Sequence, residues 1–311
     1  MLLHKNTDSI QKTINTVITL GTFDGVHKGH RKILDTLVQE AKIKGFRSLL
    51  VTFEPHPRSV ITPDLRIPLL TTVEEKVRFI SESGIDEMLV VEFTKEFAKQ
   101  SPEEFIKNYL GEKVGFSKII VGYDHKFGKG RGGDAETLKK LGIEIGFEVE
   151  VVPGYSVEGS VVSSTLIRKS LQEGDLQQVN KYLGRWYSVL GTVVQGKKRG
   201  RTIGFPTANV SCSNSLKLLP TNGVYACMVE LEGKRYKGTA NIGYRPTFDA
   251  DNVLSTEVFI HDFDALIYGK EVHVEFVKKL RGEVVFNSAE KLVEQITADV
   301  ERSREILQEL G

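Results

Sequence analysis

Short hydrophobic runs alternate with amphipathic stretches throughout the first half of the chain. Each run has the length of a strand and few polar interruptions, which is typical of strands buried on both faces of a sheet. The predicted strands are residues 17–20, 48–53, 88–93, 118–121 and 148–152. Strands that alternate with helices form βαβ units, so the pattern predicts an α/β fold with a parallel sheet between helices.

The stretches between these runs have the spacing of helices. Hydrophobic residues between 33 and 41 recur every three or four positions. Thr72 and Glu75 have the spacing of a capping box. Ser101 followed by Pro102 is typical of a helix start, since proline is well tolerated in the first turn. Helices are therefore predicted to begin near each of these points.

The pattern changes after residue 182. Short strand-like runs then follow one another with turns between them and no long helical stretch: 187–195, 224–232, 236–242, 256–262 and 271–277. This predicts a β-barrel or a small sandwich. Ser288 then begins a long amphipathic helix. We place the domain boundary at this change of pattern, with domains of residues 1–184 and 185–311.

Length and charge fit two ordinary globular domains. The chain has 311 residues, of which 40% are hydrophobic and 27% charged, and its formal net charge is +1. Because the chain has no overall basic field, nucleic-acid binding is not predicted. The first ten residues lack the apolar segment of a signal peptide, and no run approaches the roughly 18 apolar residues that a membrane helix needs. We expect a cytoplasmic protein that does not bind membranes.

The two cysteines agree with that location. Cys212 and Cys227 have neither the spacing nor the histidine neighbours of a zinc site. A disulfide between them is not excluded by the sequence. Two thiols in a chain of this length nevertheless favour a reducing compartment.

Residues 21–30, called the first loop below, join a predicted strand directly to a helix. Ligands of α/β sheets bind beyond the carboxyl ends of strands, and a helix N-terminus at that place suits phosphate. Gly21 and Gly29 allow the backbone to approach a bulky anion. His27 and His30 are three residues apart, so both rings are expected on one side, where they could donate to phosphate oxygens. The alternative is a glycine-rich turn with two solvated histidines.

Two further loops follow predicted strands of the same half. His56 is held between two prolines after the second strand. Residues 122–134, called the second loop below, are rich in glycine and carry Asp124 and Arg131. A structural turn and a mobile surface loop are the respective alternatives.

A third segment precedes the domain boundary. Ser163, Ser164 and Thr165 offer hydroxyl and N–H groups at a helix start, and Arg168 follows about one turn later. This combination favours an anion site. Ordinary helix capping beside a solvated arginine is the alternative.

The second half carries its own candidate phosphate site. A short basic run, rich in glycine, precedes Pro206. It lacks the aromatic neighbours of a nucleic-acid patch, and its composition suits a loop that closes over nucleotide phosphates. Thr207 and Asn209 are two residues apart, so in extended backbone their oxygens point the same way and could bind magnesium. Without further support the segment could be a simple turn.

These motifs resemble those of a known family. His27-Lys28-Gly29-His30 resembles the HxGH signature of nucleotidylyltransferases, in the form found in bacterial FAD synthetases, and Pro206-Thr207-Ala208-Asn209 resembles the PTAN motif of riboflavin kinases. Other matching segments are residues 52–57, 122–134, 163–168, 223–226, 241–248 and 257–264. The resemblance covers nearly the whole chain. It implies a nucleotidylyltransferase-like (Rossmann-like) domain followed by a riboflavin-kinase barrel with a C-terminal helix.

The resemblance also implies two reactions. The barrel would make FMN from riboflavin and ATP, and the α/β domain would transfer AMP from ATP to FMN, which gives FAD and pyrophosphate. Mg²⁺ would bind together with ATP as the co-substrate, and flavin would be a substrate. Two alternatives stay open: only one module is active, or the protein is a flavin-sensing binding module. The oligomeric state cannot be predicted.

The resemblance assigns roles to individual residues. The catalytic residues are His27, His30 and Glu257, the last as general base on the ribityl hydroxyl. The ATP contacts are Gly21, Thr22, Phe23, Asp24, Gly29, Ser163, Ser164, Thr165, Arg168, Gly196, Lys198, Arg201 and Gly204. The flavin contacts are His56, Pro57, Asp124, Arg131, Tyr225 and Arg281, and the metal ligands are Thr207 and Asn209. Two positions depart from the family pattern: His125, where relatives commonly have an aromatic residue, and Leu266, where they usually have an acidic one.

Overall fold

The chain divides into two compact units, Met1–Ser164 and Thr165–Gly311. The computed structural model describes residues 1–62, 64, 66–196, 203–245 and 253–310, and for residues 244, 245 and 253 it describes the backbone alone. Each unit is described by itself below.

A six-stranded parallel sheet forms the centre of the first unit. Its strands are β1 (Leu2–His4), β2 (Thr16–Leu20), β3 (Arg47–Glu54), β4 (Glu87–Glu92), β5 (Lys118–Gly122) and β6 (Glu148–Val152). Their order is β1-β4-β3-β2-β5-β6, and all neighbours are parallel. The predicted α/β fold is confirmed. β1 was not predicted, because three residues are too few to form a recognisable strand pattern.

Helices cover this sheet. They are α1 (Lys28–Lys44), α2 (Pro57–Ile61), α3 (Val73–Ser81), α4 (Pro102–Glu104), which continues as a π-helix (Phe105–Gly111), and α5 (Ala135–Ile145). A small hairpin of β7 (Ser156–Val157) and β8 (Ser160–Val161) follows. The capping box predicted at Thr72 is present, and the helix start predicted at Ser101 also has a capping box. Successive residues of β2 enter opposite cores, Val17 on the α1 and α3 side and Ile18 on the other, which explains the continuous hydrophobic run.

The strand order reverses between β2 and β5. From β2 the chain passes to β3 and β4 on one side of the sheet, and it then returns to β5 and β6 on the other. The loops that leave such neighbouring strands diverge and open a crevice at the carboxyl edge of the sheet, where ligands of this fold class bind. The first loop follows β2 and the second loop follows β5, so they flank this crevice.

The second unit is a closed antiparallel barrel with three helices. Its elements are α6 (Ser164–Gln172), whose first residue belongs to the first unit, α7 (Leu176–Leu183), β9 (Tyr187–Val194), β10 (Ala208–Cys212), β11 (Gly223–Leu231), β12 (Lys234–Arg245), β13 (Val253–Ile260), β14 (Glu271–Arg281) and α8 (Ala289–Gln308). The order β10-β13-β12-β11-β14-β9 closes through the pairing of β10 with β9. The sheet is therefore the predicted barrel and not a sandwich.

Two helices are tied to the barrel strands. Asn180 of α7 donates through Nδ2 to the Phe276 carbonyl oxygen and accepts from the Tyr187 N–H through Oδ1. On α8, the Ser303 hydroxyl donates to the Gly238 carbonyl oxygen, and Leu307 is buried against the barrel. α7 thus belongs to the second compact unit, which begins at Thr165. The domain boundary at residue 185 stays a prediction.

Candidate functional site

The first loop has an unusual backbone for its sequence. Phe23 and Val26 have φ values of 47° and 38°, and Gly25 has a φ of 85°. Residues other than glycine rarely adopt a positive φ, because their Cβ atom then clashes with the backbone. Phe23 and Val26 are both buried, so packing holds the loop in this conformation. Such strained backbone is concentrated at ligand sites.

The two predicted catalytic histidines of this loop lie together. Their rings stack with centroids 3.6 Å apart at an interplanar angle of 16°. His27 is the N-cap of α1, and its Nδ1 accepts a hydrogen bond from the His30 N–H at 3.2 Å. A neutral His27 ring therefore carries its proton on Nε2, which makes Nε2–H its donor. A Cβ atom at Gly29 would lie 3.2 Å from this ring, so glycine leaves the ring its position.

Asp24 faces the interior of the first unit. Its carboxylate accepts hydrogen bonds from the N–H groups of Leu70 and Thr71 at 3.1 and 2.9 Å, and from the Thr71 hydroxyl at 3.1 Å. Its carbonyl oxygen accepts from the Ser164 hydroxyl at 2.8 Å. These contacts fix the loop against the segment before α3 and against the start of α6. The structure thus gives the Asp24 carboxylate a structural role, while the prediction of an ATP contact at this position stays untested.

Gly21 and Thr22, two more of the predicted ATP contacts, lie at the start of the first loop. Gly21 donates its N–H to the Val51 carbonyl oxygen, and Thr22 accepts the Thr52 hydroxyl on its own carbonyl oxygen. Ser163 is half-buried beside Ser164. Thr165 and Arg168 lie on α6 in the second unit, the first exposed and the second half-buried.

The second loop presents the predicted flavin contacts Asp124 and Arg131 at its surface. Both side chains are exposed, and Arg131 has a positive φ of 58°. Between them, the His125 ring stacks on Phe127 with centroids 5.7 Å apart. Burial, assisted by the Arg131 charge, lowers the pKa of His125 to about 4, so the ring is neutral at physiological pH. His125 thus occupies a place where a flat aromatic ring packs, which fits the aromatic residue of relatives.

The remaining predicted flavin contacts of this unit lie at the end of β3. Pro57 is the first residue of α2, and His56 is its N-cap. The His56 Nδ1 accepts the Arg58 N–H at 3.2 Å. The short helix therefore fixes the orientation of the His56 ring.

An aromatic cluster near these loops was missed from the sequence. Its members are Phe53, Phe93, Phe97, Phe105, Tyr109 and Phe127, with neighbouring ring centroids 5.1 to 6.4 Å apart. Phe105 and Tyr109 both lie on the π-helix, four residues apart in sequence. Their rings stack with an interplanar angle of 18°. π-helical turns are rare and are often found at functional sites. The available signal was the phenylalanine at or just after the ends of two neighbouring strands, at Phe53 and Phe93.

The second unit brings the predicted kinase residues together. Asn209 on β10 is directly opposite Glu257 on β13 and opposite Val194 on β9. The Thr207 hydroxyl lies 3.5 Å from Glu257 Oε2. Gly196 lies against Asn209 so closely that a Cβ atom there would fall 2.1 Å from Nδ2. Thr207, Asn209 and Glu257 thus lie together where β10 begins beside β13.

The side-chain oxygen of Asn209, Oδ1, is buried without a hydrogen bond to any described residue. The residue as a whole is buried as well. A buried oxygen of this kind costs free energy until it meets a donor or a cation. Gly204, with a φ of 86°, turns the chain before this segment. The predicted ATP contacts Lys198 and Arg201 lie outside the described residues.

The two predicted flavin contacts of the barrel are held by protein groups. Tyr225 is buried, its ring packs edge-on against Phe276 at 5.5 Å, and its hydroxyl donates to the Thr221 carbonyl oxygen. Arg281 forms a two-pronged ion pair with Asp299 of α8, with Nε and Nη2 to Oδ2 distances of 2.9 and 2.7 Å. Contacts of either residue with flavin stay a prediction.

Leu266, the other departure from the family pattern, is 71% exposed and joins no described core cluster. In the described ranges, no group of three His, Cys, Asp or Glu side chains is placed to hold a metal ion. No described helix combines the length and apolar character that crossing a membrane requires.

Comparison with known proteins matches both units. The family model described as FAD synthetase matches residues 9–166, and the one described as riboflavin kinase matches residues 183–307. The bifunctional riboflavin kinase/FMN adenylyltransferase of Listeria monocytogenes is 39% identical, with 97% of this chain and 96% of the relative covered. The Escherichia coli protein of the same name is 38% identical, with 93% and 92% covered.

A solved structure is similar along the whole chain. A crystal structure described as a macrolide-efflux protein from Streptococcus pneumoniae has a TM-score of 0.86 and is 32% identical, with 97% of this chain and 98% of that chain covered. Its description names a different activity from that of the two relatives. The similarity itself is one of fold and sequence.

Proposed function

The chain belongs to the family of bifunctional riboflavin kinases/FMN adenylyltransferases, and we propose that its two units catalyse consecutive steps of FAD synthesis. The barrel transfers the γ-phosphoryl group of ATP to riboflavin and gives FMN and ADP. The first unit transfers AMP from a second ATP to FMN and gives FAD and pyrophosphate. The observation that carries this proposal is that each unit brings candidate phosphate-binding side chains together: the stacked His27 and His30 in one, and Asn209 opposite Glu257 in the other.

In the barrel, Glu257 acts as the general base. A hydroxyl that attacks a phosphoryl group must lose its proton, and a carboxylate placed near it can accept that proton. Thr207 and Asn209 border Glu257, at 3.5 Å and in the opposite strand position. The base thus stands next to the residues that would orient the phosphates.

Mg²⁺ fits the residues at this place. The buried Asn209 Oδ1 and the Thr207 hydroxyl are hard oxygen donors, and the former makes no hydrogen bond to described residues. When bound, Mg²⁺ neutralises charge on the phosphate oxygens of ATP. We propose that these two residues hold it together with the nucleotide.

In the first unit, positioning and charge neutralisation suffice. The attacking group is a phosphate of FMN that is already ionised, so no base has to remove a proton. The Nε2–H of His27 and the ring of His30 would donate to ATP phosphate oxygens on which charge develops. Ser164 holds the loop through the Asp24 carbonyl oxygen. Pyrophosphate leaves as the AMP group passes to FMN.

FMN would bind on the β5 side of the crevice. The second loop offers Asp124 and Arg131 for its phosphate end. The half-buried rings of the aromatic cluster, Phe53, Phe93 and Phe97, offer flat apolar surface for the ring system. His56 and Pro57 complete the proposed FMN contacts of the first unit. In the barrel, Tyr225 and Arg281 are the proposed contacts of riboflavin.

We also propose a cytoplasmic location. Cys212 and Cys227 are both free thiols, which fits a reducing compartment.

Two substitutions test the assignment of one reaction to each unit. His30→Ala is expected to lower FAD formation from FMN by about 100-fold, because it removes a group that stabilises transition-state charge. Glu257→Ala is expected to lower FMN formation from riboflavin by about 100-fold or more, because it removes the base. Each variant keeps the other activity, which serves as its internal control for folding. Loss of both activities in a folded variant would disprove the two-site assignment.

A further inference from the structure

Lys76 is a buried cation to which the two proposed reactions give no role. It lies on α3 and is 5% exposed. Its ammonium can donate three hydrogen bonds. The structure gives it one within the described ranges, to the Thr52 hydroxyl at 3.4 Å. The protein thus holds an amine inside the first unit with few direct hydrogen bonds.

Burial of the Lys76 amine makes its charged form unfavourable in free energy. Burial lowers the pKa of Lys76 below the ordinary lysine value, and the carboxylates of Asp24 and Glu54 oppose that change from a distance. A hydrophobic side chain of the same length would be the more stable choice at a purely structural position. The location of the ammonium therefore calls for a reason other than stability.

That location is the interior side of the first loop. The Thr52 hydroxyl that accepts from Lys76 donates in turn to the Thr22 carbonyl oxygen at 3.2 Å. Asp24, two residues further along the loop, is bound by the N–H and hydroxyl of Thr71 just before α3. α3 therefore reaches the loop at two points, one through Thr71 and one through Lys76 and Thr52.

We propose that Lys76 is a positioning residue of adenylyl transfer, whose ammonium orders residues 22–24 through Thr52 and supplies a positive charge behind the bound triphosphate. The inference rests on the proposal that the first loop holds ATP. Asp24 and Glu54 bring negative charge close to that loop, and ATP adds more. Lys76 offsets this repulsion. It also keeps the backbone of the first loop in the position where the N–H groups of the loop can donate to the ATP phosphates.

Lys76→Met in the full chain is the main test. It keeps the length of the side chain and removes the charge. The kcat/KM of FAD formation from supplied FMN and ATP-Mg is expected to fall about 100-fold, the loss typical of a displaced reacting group. Riboflavin phosphorylation, measured on the same sample, stays unchanged. Lys76→Arg keeps the charge and is expected to recover most of the adenylyl transfer.

Lys118→Met is a matched control. Lys118 is also buried in the first unit, but it begins β5 at the opposite edge of the sheet and pairs with Glu40 and Glu150 at 2.7 Å each. Its loss is expected to lower the Tm and to leave adenylyl transfer within about twofold when assayed well below that Tm. The comparison separates loss of a buried lysine in general from loss of this one.

Thr52→Val tests the connection independently of the folding of Lys76→Met. It is expected to lower adenylyl transfer in the same direction, with Thr52→Ser close to wild type. The double variant Thr52→Val/Lys76→Met is expected to be no worse than Lys76→Met, since both changes break one chain of contacts.

Three results would overturn the inference. Adenylyl transfer of Lys76→Met within about twofold of wild type is one. Equal losses in Lys76→Met and Lys118→Met are another, and fully additive losses in the double variant are the third. A wild-type chain that forms no FAD from FMN would instead disprove the proposed function itself, so the two failures are distinguishable.

Discussion

The ring of His27 is fixed by the helix that it begins. Its Nδ1 accepts the His30 N–H, and the rings of the two histidines stack at 3.6 Å. Gly29 lies between the two histidines in the sequence, and its lack of a side chain leaves the space that the His27 ring occupies. A glycine in a helix lowers stability relative to alanine. Glycine at position 29 therefore lowers the stability of the helix but allows the His27 ring to take its position.

Gly29→Ala tests this. The new methyl group would lie 3.2 Å from two atoms of the His27 ring and displace it. We expect adenylyl transfer to fall about tenfold, while thermal unfolding shows equal or higher stability because alanine favours the helix. FMN formation in the barrel is the control. Unchanged adenylyl transfer would show that the exact position of the ring does not matter.

His261 makes the barrel sensitive to acid. The ring is buried, its Nε2 bonds the Thr239 hydroxyl at 2.8 Å, and its Nδ1 makes no hydrogen bond to the described residues. Burial, with the charges of Arg304 and Lys237, lowers the pKa of His261 to about 4. The unfolded chain takes up this proton near pH 6.5 and the folded chain only near pH 4, so stability falls as the pH drops through that window.

The free energy of unfolding of the barrel is expected to lose roughly 3 kcal/mol from His261 between pH 6.5 and 4. Urea unfolding at several pH values measures the loss. Since carboxylates also titrate in this range, His261→Gln is the reference, and it should have a smaller dependence on pH. Equal dependence in both proteins would rule out His261 as the cause.

At the scale of elements, the pattern of hydrophobic residues predicted the strands and helices whose buried side chains form a continuous run or recur at a regular spacing. Strands β2 to β6 of the parallel sheet and the long strands of the barrel are of this kind. β10 was not predicted as a strand, because it has only five residues and directly follows a loop rich in glycine that ends near Pro206. The π-helix has no signature in the sequence, since it begins as the ordinary helix that Ser101 caps.

The same limit applies to the candidate sites. The glycine and histidine spacing of the first loop and the Thr207–Asn209 spacing point to phosphate chemistry by themselves. The aromatic cluster and the Lys76–Thr52–Thr22 connection join residues from distant parts of the chain, which one sequence cannot place together. Contacts of Asp24 and Arg281 with protein groups also depend on tertiary structure.

The ion pair between β14 and α8 gives a prediction at this scale. Arg281 and Asp299 are mostly buried, with the Asp299 side chain 7% exposed. Asp299→Ala is expected to lower the free energy of unfolding by about 3 kcal/mol, because it leaves a partly buried guanidinium without its partner. Asp262→Ala is the matched control. Asp262 forms a similar pair with Arg304 but is 76% exposed, so we expect a much smaller loss of stability. Equal losses in the two variants would contradict this account.

At the scale of the whole molecule, the two units have related substrates. The proposed product of the barrel, FMN, is the proposed substrate of the first unit, and ATP serves both. The two units nevertheless use different chemistry: Glu257 must remove a proton from an alcohol, whereas the first unit receives a nucleophile that is already charged. This difference explains why one chain carries a carboxylate base in one unit and a histidine pair in the other.

The most direct test of this account follows both reactions in the intact wild-type chain. The protein is incubated with ATP-Mg and either riboflavin or FMN, and all flavins are separated over time. We predict that riboflavin gives FMN first and FAD afterwards, and that supplied FMN gives FAD and pyrophosphate without delay. FMN that accumulates without FAD, or FAD formed from FMN with no turnover of riboflavin, would contradict the claim that both units are active.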